Sequence, residues 1–195
     1  LEFRASQILM DDNNETGIGR NGRDAWLFSQ QAVYTHWFGK DEIGNIVNSI
    51  VLAPGFTFYN DSVLSGLDNE MPFNGSTDGL AVFTMPGEVN WMHINGQGTS
   101  LKLYWDFAYN FEAERRVKRV YGLTNEPKDA TAWLVGIGYA SGSGKVQGDY
   151  GIRLDYRSVG TGSVDPNLSD SDFAFGRVNQ EGWKFSASYN ITDFA

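Results

Sequence analysis

Between residues 101 and 112 the chain alternates without a break. Leu101, Leu103, Trp105, Phe107, Tyr109 and Phe111 hold the odd positions, and Lys102, Tyr104, Asp106, Ala108, Asn110 and Glu112 the even ones. Side chains of an extended strand point to opposite faces in turn, so this stretch has one greasy face and one mostly wet face. A helix would need apolar residues spaced by three and four. The alternation returns at 146–157, where Val146, Tyr150, Ile152, Leu154 and Tyr156 oppose Gln147, Asp149, Arg153, Asp155 and Arg157. It returns again where Trp183, Phe185, Ala187, Tyr189 and Ile191 oppose Lys184, Ser186, Ser188, Asn190 and Thr192.

β segments read near 1–10, 24–38, 46–59, 80–94, 100–111, 130–141, 146–157 and 181–192. Their connections alternate between long (11–23, 60–79, 112–129, 158–180) and short (39–45, 95–99, 142–145). An antiparallel meander whose two ends meet different surroundings has that asymmetry, and transmembrane barrels are built this way. The expected fold is therefore all-β: about eight antiparallel strands forming a transmembrane outer-membrane β-barrel, or part of one, in a single domain over 1–195. Leu1 begins inside an amphipathic ladder, and the last residues stop where a short turn would lead into another strand. On that basis the chain reads as an internal piece of a longer barrel. Pro54-Gly55 and Pro86-Gly87 are expected to break their ladders, because proline cannot donate a ladder hydrogen bond. The even face of 130–141 is small (Ala130, Ala132, Gly136, Gly138, Ala140), so either something approaches closely there or the glycines permit a strong twist.

Ladder length separates two fold classes. Membrane strands need about 9–11 residues, while globular strands average about 5–6. At least five ladders here reach 10 residues. The rival is a soluble β-sandwich or jelly roll that binds carbohydrate through its aromatics, since sandwiches also alternate apolar and polar residues. Trp26 and Phe38, Trp105 and Phe111, and Tyr150 and Tyr156 stand near ladder ends, as aromatic girdles would. No run of about eighteen apolar residues exists, which excludes a membrane helix and leaves a barrel open. The absence of cysteine excludes disulfides and cysteine metal sites. A net charge of −9 argues against nucleic acid as a partner.

From Asp129 to Asp193 the chain resembles a family of Gram-negative outer-membrane porins. The resemblance is carried by Ala132-Trp133-Leu134-Val135-Gly136-Ile137-Gly138-Tyr139, a short basic glycine turn, Gly148-Asp149-Tyr150 and Leu154-Asp155-Tyr156-Arg157. It continues with Ser169-Asp170-Ser171-Asp172-Phe173, Gly176, Asn179, Gly182, Tyr189 and Thr192-Asp193. It covers about a third of the chain well, and the aromatic-rich stretch 25–38 more loosely. The resemblance implies a barrel in the outer membrane of a Gram-negative bacterium that passes ions and small hydrophilic solutes passively. Its partners would be the lipid bilayer, lipopolysaccharide and possible further copies of itself, with no cofactor. Family members continue for at least one further strand pair. Eight strands alone would leave an interior that side chains largely fill, hence a non-conducting anchor barrel as a further alternative.

Charged residues on one face of a membrane ladder belong to an aqueous lumen, because Lys or Arg facing lipid costs about 2–4 kcal/mol at the midplane. The expected pore-lining residues are Lys102, Asp106, Asn110, Arg153, Asp155, Arg157 and Lys184. Arg115, Arg116, Lys118 and Arg119 form the one basic run of an acidic chain. They lie in a long loop, where they would either line a pore mouth or pair with lipopolysaccharide phosphates and neighbouring acids. His36 and His93 lack metal-ligand spacing. Glu88, Asp106 and Asp155 carry no mark of a paired acid and base, so no enzyme is expected. The clusters Asp11, Asp12, Glu15 and Asp165, Asp170, Asp172 lack EF-hand spacing and read as solvated acidic loops rather than Ca²⁺ sites. Gly142, Gly144 and Gly148 mark a turn, since no helix follows to make a phosphate loop.

Overall fold

The computed structural model describes residues 1–11, 25–40, 46–60, 78–95, 98–124, 126–165 and 177–193. The strands are β1 (Glu2–Asp11), β2 (Ala25–Lys40), β3 (Ile46–Leu52), β4 (Gly55–Tyr59), β5 (Ala81–Thr84), β6 (Gly87–Met92), β7 (Ser100–Asn110), β8 (Thr131–Ala140), β9 (Tyr150–Val159) and β10 (Gln180–Tyr189). Helix α1 (Ala113–Arg119) and a 3₁₀ turn at Pro127–Ala130 lie between β7 and β8, inside the stretch 112–129 expected as loop. All ten strands join one sheet, and every pairing is antiparallel.

The meander is the expected one, with each strand beside its neighbour in sequence. β3 and β4 are halves of one ladder broken at Ala53-Pro54, and β5 and β6 are halves of the next, broken at Met85-Pro86. The two breaks sit side by side. Ala53 N–H donates to the Pro86 carbonyl at 2.9 Å, and Ala32 N–H to the Pro54 carbonyl at 2.9 Å, so the backbone is stitched across a shared crease. β1 pairs only with β2 and β10 only with β9 among the described residues, leaving the sheet open along both outer edges.

Residues 146–149, expected to begin a strand, instead form part of a tight turn before β9. The Asp149 carboxylate accepts from the backbone N–H groups of Gly144 (2.9 Å), Lys145 (3.2 Å) and Val146 (3.2 Å), and this local cap outcompetes ladder pairing. Ile191 likewise lies past the end of β10.

Directly paired residues of an antiparallel ladder share a face. One row therefore runs His36, Ile50, Val89, Leu103, Ile137, Leu154, Phe185. On the same face Trp133 and Tyr139, Tyr150 and Tyr156, and Trp183 and Tyr189 stand six residues apart on three adjacent strands. That spacing is about 20 Å along a strand. Trp133 packs on Tyr156 (centroids 5.3 Å) and Tyr156 on Trp183 (5.0 Å), while Tyr139 and Tyr150 meet at the other end (5.9 Å). Phe28, Phe58, Phe56, Phe111 and Tyr109 continue the first aromatic row by successive ring contacts. The polar exceptions are Gln7 on β1 and Gln30, His36 and Lys40 on β2.

Burial is inverted relative to a water-soluble sheet. Ile137 is 48% exposed and Leu154 40%, whereas Asp155, next along the chain, is 4% exposed. Gly136, Gly138 and Asp155 on the polar face are buried. A small core of Leu80, Val82, Ala108 and Ala132, with Tyr59, Val159 and Val164 against it, fills that face at the long-loop end. The small residues of β8 answer the question left by the sequence. The Tyr104 ring lies over Gly136, where an added Cβ would fall 2.4 Å from Tyr104 Cζ, so close approach is the reason for that glycine. On the opposite face the Trp105 indole lies over Gly87 in the same way, with a Cβ 2.3 Å from Cζ2.

Candidate functional site

The polar face gathers most of the charged residues that alternation placed on the wet side. Three successive rows carry them: Asn90, Lys102, Gly138 and Arg153; then Glu88, Tyr104, Gly136, Asp155 and Lys184; then Asp106, Leu134 and Arg157. Lys102 Nζ pairs with Glu88 Oε2 at 2.9 Å, and Asn90 Nδ2 donates to the other Glu88 oxygen at 2.8 Å. Asp155 accepts from Arg157 Nε at 2.5 Å and from the Tyr104 hydroxyl at 3.1 Å. Lys184 stands opposite Asp155 in the register. Arg153 rests its stem on Gly138, is exposed, and has no ion-pair partner among the described residues. Most of these charges are compensated; Arg153 and Asp106 have no ion-pair partner among the described residues.

Tyr104 and Glu88 complete this network, and the sequence reading did not assign either to the wall. The signal was present for Tyr104: a tyrosine at a wet-face position, directly across from a glycine. In the sequence Glu88 stands out only as a candidate acid. Held by Lys102 and Asn90, it is a structural counter-ion, as Asp155 is between Arg157 and Tyr104.

Asn110, expected along the pore, is closed in at 1% exposure. Its amide donates to the carbonyls of Gly79 (2.7 Å) and Gly162 (2.6 Å), and its oxygen accepts from Ala81 and Glu112 N–H groups (both 3.0 Å). It seals the end of β7 against two long loops. Asp165, expected in solvent, is buried and accepts a hydrogen bond from the Tyr59 hydroxyl. Its cluster partners Asp170 and Asp172, like Asp12 and Glu15, lie outside the described residues.

The basic run forms α1, not a loose loop. Arg116 is fully buried, donating to the Asp78 carbonyl at 3.0 Å and stacking over Tyr121, so it cannot line an open mouth. Val117 and Ala113 are buried beside it and pack against Gly162. Arg115 and Arg119 both reach Asp78 (2.5 and 3.7 Å). Lys118 pairs with Glu114, and that hydrogen bond holds the Glu114 carboxyl below its usual range. All four cations are thus engaged locally; α1 is held by its buried Ala113, Arg116 and Val117, and the Glu114–Lys118 pair at i,i+4 adds slight support.

The histidines serve turns and packing. His36 stacks on Phe38 (6.5 Å), and His93 adopts a left-handed conformation in which Nδ1 accepts from Gly98 N–H at 3.1 Å. Among the described residues no group of three His, Asp or Glu side chains is placed to hold a metal ion. No helix among the described residues is long and apolar enough to cross a membrane, which says nothing of strands. No family model, no curated protein and no solved structure matches this chain.

Proposed function

We propose that the chain is an outer-membrane β-barrel protein of the porin kind, a passive channel for ions and small hydrophilic solutes in a Gram-negative bacterium. The observation that carries the reading is the inversion of the sheet: aliphatic rows framed by two aromatic rows are exposed, while Asp155, with Arg157 against it, is covered on the other face. Lipid favours that arrangement, and aromatic rings settle at its two interfaces. A β-sandwich instead buries its apolar faces between two sheets. On this reading the lipid bilayer and lipopolysaccharide surround the apolar face, and the rows of Lys102, Asp155 and Arg157 border the lumen.

The packed core at the long-loop end favours a second reading, an anchor barrel that does not conduct. Two measurements separate the possibilities. Spin labels at Leu103 and Ile152 in bilayers should report oxygen-accessible, water-poor surroundings; water-accessible labels there would reject both barrel readings. Planar bilayers holding the protein should then show discrete ion currents, and their absence would leave the anchor.

A further inference from the structure

We infer that the polar face carries a binding site for a neutral polyhydroxylated solute, a sugar or polyol, in a cleft over β1, β2, β4 and β5. The inference deepens the channel reading, since it names a solute class for the same polar face.

Two adjacent rows build the cleft. In the first, Ser6 lies opposite Ser29, and Ser29 opposite Thr57. In the second, Arg4 lies opposite Gln31, Gln31 opposite Gly55, and Gly55 opposite Thr84. Cross-strand neighbours stand about 5 Å apart, so the hydroxyl and amide groups form a lattice with that spacing. The space above them measures about 330 Å³, at the lower end of the roughly 300–1,000 Å³ that ligand sites occupy. Gly55 opens it. A Cβ there would sit 3.1 Å from both the Gln30 carbonyl and Thr84 Oγ1, so the floor is bare backbone beside the proline crease.

The chemistry differs from that of the charged rows. Lys102, Asp106, Arg153, Asp155, Arg157 and Lys184 all stand on β7, β9 and β10. The cleft holds one charged group, Arg4, and Glu2 neutralises it through two bonds of 2.8 and 3.1 Å. What remains is hydroxyl and amide, each able to donate and accept. The Thr57 hydroxyl donates to Ser29 Oγ at 3.2 Å, which leaves the Ser29 O–H to donate outward. A charged solute would lose hydration here without gaining a counter-charge. A neutral polyol exchanges its bonds to water for bonds of the same kind.

The test uses the full chain in detergent micelles, with saturation-transfer NMR on glucose and on gluconate. Transfer to glucose should exceed transfer to gluconate and should weaken at least five-fold in Gly55→Val, which fills the cleft. Thr57→Val with Thr84→Val keeps the shape, removes two hydroxyls and should weaken transfer as much. Strand content by circular dichroism confirms folding of each variant. Equal transfer in parent and variants, or none to the parent, overturns the site. A protein that conducts without glucose transfer refutes the site and leaves the channel; transfer without conductance upholds the site and refutes the channel.

Discussion

Replacing Ile137 with arginine tests the inverted sheet most sharply. Ile137 projects from the exposed face of β8, two residues from Tyr139 and four from Trp133, hence near the middle of the band those aromatics frame. At a bilayer midplane an arginine on the lipid face costs about 2–4 kcal/mol, a factor of about 30 to 700 in the folding equilibrium. Thr131 shares the strand and the face but lies beyond Trp133, at the interface, where the same substitution costs about 0–1 kcal/mol. Were the face in water, the half-exposed Ile137 would tolerate arginine within about 0.5 kcal/mol. Reversible urea unfolding in phospholipid vesicles, followed by tryptophan emission, gives both numbers. Equal costs at Ile137 and Thr131, or a cost below about 0.5 kcal/mol at Ile137, would refute the membrane-facing assignment.

Gly136→Ala drives a Cβ into the Tyr104 ring and should destabilise by about 1–3 kcal/mol; adding Tyr104→Leu should recover most of it, a coupling read from a double-mutant cycle. Arg116→Met leaves the Asp78 carbonyl without its donor and should cost about 1–3 kcal/mol in denaturant unfolding. Lys118→Gln, exposed on the same helix, should leave the midpoint nearly unchanged. Because Lys118 holds the Glu114 carboxyl below its usual range, its small contribution is present at neutral pH and vanishes as pH falls through the Glu114 titration. Arg153→Gln should shift reversal potential toward cations, whereas neutralising Arg115 and Arg119 together should not, since both already face Asp78.

The fold was legible where side chains alternate, because a strand's two faces are written residue by residue. β7 and β8 fall within one residue of the expected segments, and Lys102, Asp106, Arg153, Asp155, Arg157 and Lys184 share one face as read. Legibility failed where a polar side chain turned back on its own chain. Asp149 capped a turn that hydrophobicity alone would have made strand, and Asn110 looked like one more wet-face residue until two distant loops closed over it. The basic run misled for a related reason. Its charge was plain in the sequence, but Asp78, which answers Arg115 and Arg119, lies more than thirty residues earlier. The hydroxyl cleft was invisible because Ser6, Ser29, Thr57 and Thr84 come from four different strands and meet only through the register.

The two open edges impose a rule of parity. Counting each proline-broken pair as one, the ladder reverses direction at every step, so β1 and β10 run in opposite senses. Edges of opposite sense can join directly as antiparallel neighbours, or through an even number of intervening strands. An odd number would force one parallel seam into a sheet that has none among its described pairings. Two copies meeting edge to edge about a twofold axis satisfy the same arithmetic. A barrel closed from this sheet without a parallel seam would hold an even count, the count that bacterial single-chain membrane barrels keep.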